Sequence, residues 1–155
     1  MQLLTFHVKD DRYAIKTSMI VEVLPIVKLI DLPLSEPCIA GLLNYRGTAV
    51  PVVDLNILID DTPASLLMSS RMIIINYQVA INDIRPLVLL AERATEIVQH
   101  DDSLVQDYGL AMENARFLGD VIYDDHGVIQ IVDIENLLSE SARITLFKSE
   151  KKATG

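Results

Sequence analysis

The chain has 155 residues, a mass of 17.3 kDa and a mean hydropathy of +0.32, with half of its residues hydrophobic. This composition excludes a disordered chain, and the length fits one domain or one domain built from two small lobes. Thirteen Lys and Arg against 22 Asp and Glu give a formal net charge of -9. That balance argues against a broad basic surface for nucleic acid or for an anionic membrane.

Cys38 is the one cysteine, so neither an intrachain disulfide nor a multi-cysteine metal site is available. The start, MQLLTFHV, lacks the basic region of a signal peptide. Pro, Asn and Asp break every apolar stretch short of the ~20 residues of a membrane helix. A soluble cytoplasmic protein without direct membrane insertion is expected. Ile, Leu and Val dominate and Trp is absent, which favours strands over a helical bundle.

Gln2 to Val8, a polar turn at Lys9 to Arg12, and Tyr13 to Ile15 read as a hairpin. Ser18 is placed to N-cap a short helical turn, and Ile20 to Leu24 reads as a strand closed by Pro25. Ile26 to Leu32 is a further apolar run, and Pro33 to Pro37 a loop. Ile39 to Leu55 carries two apolar runs around Arg46-Gly47, a hairpin in which Gly47 supplies positive φ. Pro51 has no N–H to donate, so its strand should be an edge or carry a bulge. Asp54 can cap a short helix over Leu55 to Ile59.

Residues 60–70 read as the boundary between two lobes. Met72 to Ile75 is an apolar run expected to be buried on both faces. Leu87 to Ala91 returns after a turn at Asn82-Asp83, and Thr95 to Val98 reads as a separate short strand. Asp101 to Asn114 reads as loop with some helix. Phe117 to Tyr123 and Val128 to Val132 form a hairpin closed at Gly127, and Asp133 caps a short helix at Ile134 to Leu138. Residues 140–155 read as a helix end and a flexible tail. The strand–Asp–helix run ending Val53-Asp54-Leu55 is echoed by Val132-Asp133-Ile134. A duplicated small barrel and a chance likeness of a short motif both account for that echo.

No nucleophile motif, Walker loop or metal-ligand spacing occurs. Asp10-Asp11, Asp60-Asp61, Asp101-Asp102 and Asp124-Asp125 could hold a cation, but each falls at a turn or element end, where Asp bonds nearby backbone N–H groups. A metal-dependent enzyme is therefore the weakest alternative, and no cofactor is expected. Arg46 is the only charge between Ile39 and Val53, and Glu22 is alone within Met19 to Ile26. An Arg46–Glu22 pair and an unpaired arginine at a solvated hairpin tip are both open. Breaking such a pair costs about 3–5 kcal/mol if buried and far less if exposed.

Gly41-Leu-Leu-Asn-Tyr-Arg-Gly-Thr-Ala-Val-Pro-Val-Val-Asp-Leu55 resembles the G-x-x-N-x-R-G-x-x-x-P-x-x-D-L run of CheW-like domains. Leu4 to Ile15, Ile20 to Val23 and Phe117 to Leu138 resemble the family's opening hairpin, its V-x-E strand and its closing hairpin and helix, so the likeness spans residues 1–139. The resemblance implies a mainly β fold of two SH3-like five-stranded β-barrels packed together, with short helices. It implies a non-enzymatic adaptor between the cytoplasmic tips of chemoreceptors and the regulatory domain of a CheA-type histidine kinase. It also implies Ile20, Glu22, Gly41, Asn44, Arg46 and Gly47 as partner-binding positions or positions that shape them. The mid-chain motif departs from the family pattern at Glu92-Arg93 and resembles accessory CheW-like proteins of surface-sensing pathways. A self-associating β-module is the alternative that uses the same apolar edges on a second copy.

Overall fold

The computed structural model describes residues 1–33, 35–101 and 118–147. The expected loop at 101–114 falls almost wholly outside these residues, and the expected tail beyond 147 does so entirely. The strands are β1 (Gln2–Val8), β2 (Asp11–Lys16), β3 (Ile20–Pro25), β4 (Ile39–Tyr45), β5 (Thr48–Asp54), β6 (Arg71–Ala80), β7 (Asp83–Gln99), β8 (Leu118–Asp124) and β9 (Gly127–Val132). Among the described residues there are also two short helices, α1 (Leu55–Asp60) and α2 (Glu140–Phe147), and 3-10 turns at Thr17–Met19 and Ile134–Asn136.

The nine strands fall into two groups of five because β7 serves both. Its first part, up to Ala91, pairs antiparallel with β6, and Val88 to Leu90 pair parallel with β5. From Glu92 onward it pairs antiparallel with β1. One group then runs β3-β6-β7-β5-β4 and the other β7-β1-β2-β9-β8. The sense of pairing is the same in both: antiparallel, antiparallel, parallel, antiparallel. That shared order is the structural counterpart of the Val53-Asp54 and Val132-Asp133 echo. Residues 60–70, the expected lobe boundary, connect α1 to β6 inside one group. The crossover between groups comes within β7, where Arg93 takes a positive φ of 50°.

Three apolar layers follow from this stacking. Ile73, Ile75 and Tyr77 of β6 and Leu87 and Leu89 of β7 join Leu4, Phe6 and Ile15 in a central core between the groups. Their neighbours Met72, Ile74, Val88 and Leu90 turn the other way, onto Leu43, Val50 and Val52. Leu3, Ala14, Ile122, Ile129 and Ile131 form the third layer. Met72 to Ile75 of β6 and Leu87 to Ala91 of β7 are thus covered on both faces, which is why these stretches run apolar without alternation.

Several local expectations are met and several corrected. Asp54 caps α1, its Oδ1 accepting the Asn56 and Ile57 N–H groups and its Oδ2 that of Ala64. Asp133 makes no such cap; it accepts from the Asn136 side-chain amide at 2.6 Å, and the turn it precedes is a 3-10 turn. Ser18 lies inside its 3-10 turn, whose N-cap is Lys16. Pro51 is not on an edge strand: β5 gains β7 as a second neighbour, but only from Val52 onward, so the missing N–H falls just outside that ladder. Ile26 to Leu32 is no strand, but Ile30 bridges Leu42 through two 2.8 Å hydrogen bonds. This draws the chain after β3 onto β4, the opposite margin of the same group.

The end of β8 is fixed to β2 by a bidentate pair, in which Arg12 donates to the two Asp124 carboxylate oxygens at 2.7 and 2.8 Å. Arg12 and the His126 N–H hold the Asp124 carboxyl well down, to about 2. A carboxyl with a lowered folded pKa stabilises above its unfolded value, about 3.9, and loses that contribution as pH falls through the folded value. Asp124→Asn should therefore cost about 1–2 kcal/mol at pH 7. Its urea midpoint should also fall less than that of the parent chain between pH 5 and pH 2, a comparison read by denaturation followed with circular dichroism.

Candidate partner-binding surface

The β4–β5 hairpin turns over two residues. Arg46 and Gly47 both take positive φ, 53° and 85°, as a two-residue turn matched to strand twist requires. Asn44 Oδ1 accepts the Gly47 N–H at 3.2 Å and steadies the turn. Gly47 bears the conformation without cost, whereas Arg46 is strained by roughly 1 kcal/mol for a non-glycine residue in this region. The turn sets the arginine at the tip, with 77% of its side chain exposed.

Glu22 reaches the same tip from β3. Among the described residues β3 pairs only with β6, and its side chains alternate. Ile20, Glu22 and Leu24 are half-buried, while Val21 and Val23 are exposed. The Glu22 carboxylate Oε2 accepts the Tyr45 hydroxyl proton and lies 3.4 Å from Arg46 Nη2. The Arg46 guanidinium sits 5.0 Å above the centre of the Tyr45 ring, within cation–π range. The bond to Glu22 is the main cause that raises the Tyr45 pKa. Of the two open readings each holds in part: Arg46 stands at a solvated hairpin tip and makes a single, exposed contact with Glu22.

Of the six expected positions the structure joins four around this tip: Glu22 and Arg46 through their contact, Asn44 and Gly47 through the turn. The other two stand apart. Ile20 packs against the central core. Gly41 has a φ of 146°, and a Cβ there would meet the Ile30 carbonyl oxygen at 2.6 Å. Its place is explained by the close Ile30–Leu42 bridge. Tyr45 was not among the expected residues; the signal for it was an aromatic directly before a turn cation.

Two of the Asp pairs have a carboxylate already engaged by a cation. Asp124 is committed to Arg12, and Asp60 pairs with Lys9 at 3.0 Å. Among the described residues no three His, Cys, Asp or Glu side chains are placed to hold one ion. Cys38 is half-buried, and burial followed by the nearby Glu36 raises its thiol pKa. No helix among the described residues is long and apolar enough to cross a membrane.

These features define a mainly β domain of two sheets sharing one strand, with a charged hairpin tip beside an exposed edge. The sequence model of the CheW-like domain family matches residues 2–142, and the chain belongs to that family. Its fold is that of a crystal structure of the scaffolding protein TtCheW from Thermoanaerobacter tengcongensis, with a TM-score of 0.78 over 91% of this chain and 89% of that one, at 20% identity. No curated protein matches the chain.

Gly41→Ala tests the packing role of that glycine. The added methyl cannot avoid the Ile30 carbonyl without breaking the bridge, so the variant should lose about 2 kcal/mol or more in urea denaturation.

Proposed function

We propose that this protein is a non-enzymatic adaptor that couples chemoreceptor tips to the regulatory domain of a CheA-type histidine kinase. Its work is to hold two partners in a fixed relation, so that receptor state reaches the kinase through geometry. The observation that carries this reading is the family match over nearly the whole chain. The TtCheW structure, that of a scaffolding protein, supports it by fold. Arg46 is the contact at the docking tip, Glu22, Asn44 and Gly47 position it, and Ile20 and Gly41 shape the strands that carry it. Exposed Val21 and Val23 on the β3 edge supply apolar area beside the charges. In this reading the protein is cytoplasmic and is recruited to receptor arrays by its partners.

A second reading draws on the same edge. An edge strand with exposed valines is a template for pairing with another copy, and light scattering that shows a dimer at working concentration would favour it.

The strain at Arg46 gives a test that separates folding from docking. Arg46→Gly removes the cation and relieves the positive φ. Stability should stay level or rise by about 0.5–1 kcal/mol. Affinity for the kinase regulatory domain from the same genome, or for receptor tips, should fall at least about fivefold. Titration calorimetry beside urea denaturation reads both. Unchanged affinity for both partners would remove Arg46 from the interface.

A further inference from the structure

Two arginine–carboxylate contacts in this molecule differ in kind. Arg12 holds Asp124 by two parallel hydrogen bonds at 2.7 and 2.8 Å, with the two side chains only 14% and 23% exposed. That is the bidentate geometry of a largely buried guanidinium–carboxylate pair. Arg46 reaches Glu22 through one nitrogen at 3.4 Å, beyond the usual 2.7–2.9 Å of a charge-assisted bond. The oxygen it approaches is Oε2, the one that already accepts the Tyr45 hydroxyl. The Tyr45 ring meanwhile lies beneath the Arg46 guanidinium.

We infer that Tyr45 is a positioning residue which takes Glu22 from Arg46, leaving the arginine fork stacked, oriented and open to a carboxylate on a docking partner. This rests on the adaptor reading above and deepens it by naming the chemistry of the contact. The hydroxyl holds Oε2, the carboxylate oxygen nearest the arginine, and draws the carboxylate away from a two-bond pair with the fork. The ring beneath restricts the guanidinium without using its N–H donors, so less ordering remains to be done when a partner arrives. A carboxylate suits the open fork because it can accept two parallel N–H bonds, as Asp124 does from Arg12. The turn contributes as well, since the positive φ at Arg46 fixes where the side chain leaves the backbone.

The test is Tyr45→Phe, which keeps the ring and removes the hydroxyl. Glu22 is then released to pair with Arg46. Affinity for the partner should fall about three- to fivefold, the scale of one exposed ion pair. Adding Glu22→Gln to Tyr45→Phe should restore it, because the competing charge is gone. A structural role for the hydroxyl would not give that rescue. A second readout needs no partner: by NMR of the arginine side chains, rotation of the Arg46 guanidinium should slow in Tyr45→Phe.

Loss without rescue overturns the inference, because the hydroxyl would then act on the partner itself. Wild-type affinity in Tyr45→Phe, while Arg46→Gly weakens binding, overturns it and leaves the adaptor reading standing. Unchanged Arg46 rotation in Tyr45→Phe overturns the competition for Glu22 whatever the partner does. A parent chain that binds neither kinase domain nor receptor tip overturns the adaptor reading, and with it the carboxylate partner.

Discussion

Strand β7 is the constraint on which the rest depends. Its 17 residues complete both five-strand groups, so neither group closes its ladder without the other. The cost of sharing one strand is that it must change partners midway. The positive φ at Arg93 and the irregular register opposite Thr5 to His7 absorb that change. Around the junction the Ser65 N–H donates to Glu92 at 2.9 Å and the Ala94 N–H to the Ser69 carbonyl at 3.0 Å. The connection between α1 and β6 is thereby tied to the crossover. The charged Glu92-Arg93 pair, a departure from the family pattern, thus stands at a place that needs a bulge, where regular burial of both faces is suspended.

What could be read in the sequence was local. The Arg46-Gly47 turn, the Asp54 cap and the two-sided burial of Met72 to Ile75 each depend on residues within a few positions of one another. The failures have non-local causes. Glu92-Arg93 read as a break between two strands, because period and polarity say nothing about a bulge held by another segment. Asp133 repeats the sequence context of Asp54, yet it spends its carboxylate on Asn136 while Asp54 collects three backbone N–H groups. The third of those comes from Ala64, ten residues on, in a connection that has no described counterpart after Asp133. Residues 60–70 looked like a boundary on composition alone, but β3 and β5 before them pair with β6 and β7 after them.

At the β4–β5 hairpin tip, Glu22 and Arg46 were legible for a physical reason. A single charge inside an apolar segment must find water or a partner, and these two find both. Tyr45 was not legible because its role comes from the curl that brings β3 beside the β4–β5 turn across 23 positions of chain. The same comparison separates the two arginines. Burial makes Arg12 dependent on a saturated pair, and it serves to tie β2 to β8. Exposure spares Arg46 that need, and the strained turn holds it where folding gains least from it.

The charge of the whole chain narrows what such a contact can do. With a net charge of -9 the molecule repels acidic partners at a distance. Screening at physiological ionic strength, with a Debye length of about 8 Å, confines the pull of one exposed arginine to near contact. Arg46 therefore cannot capture a partner from solution by steering. On the proposed adaptor reading it acts after encounter, on how long a correctly seated complex lasts and on which register it takes. In that reading affinity comes chiefly from apolar area such as the exposed Val21 and Val23, with the charged tip selecting among surfaces that could cover them. A strained arginine beside an apolar edge is suited to that division, because a misplaced partner buries the cation without a mate and pays its desolvation unrelieved.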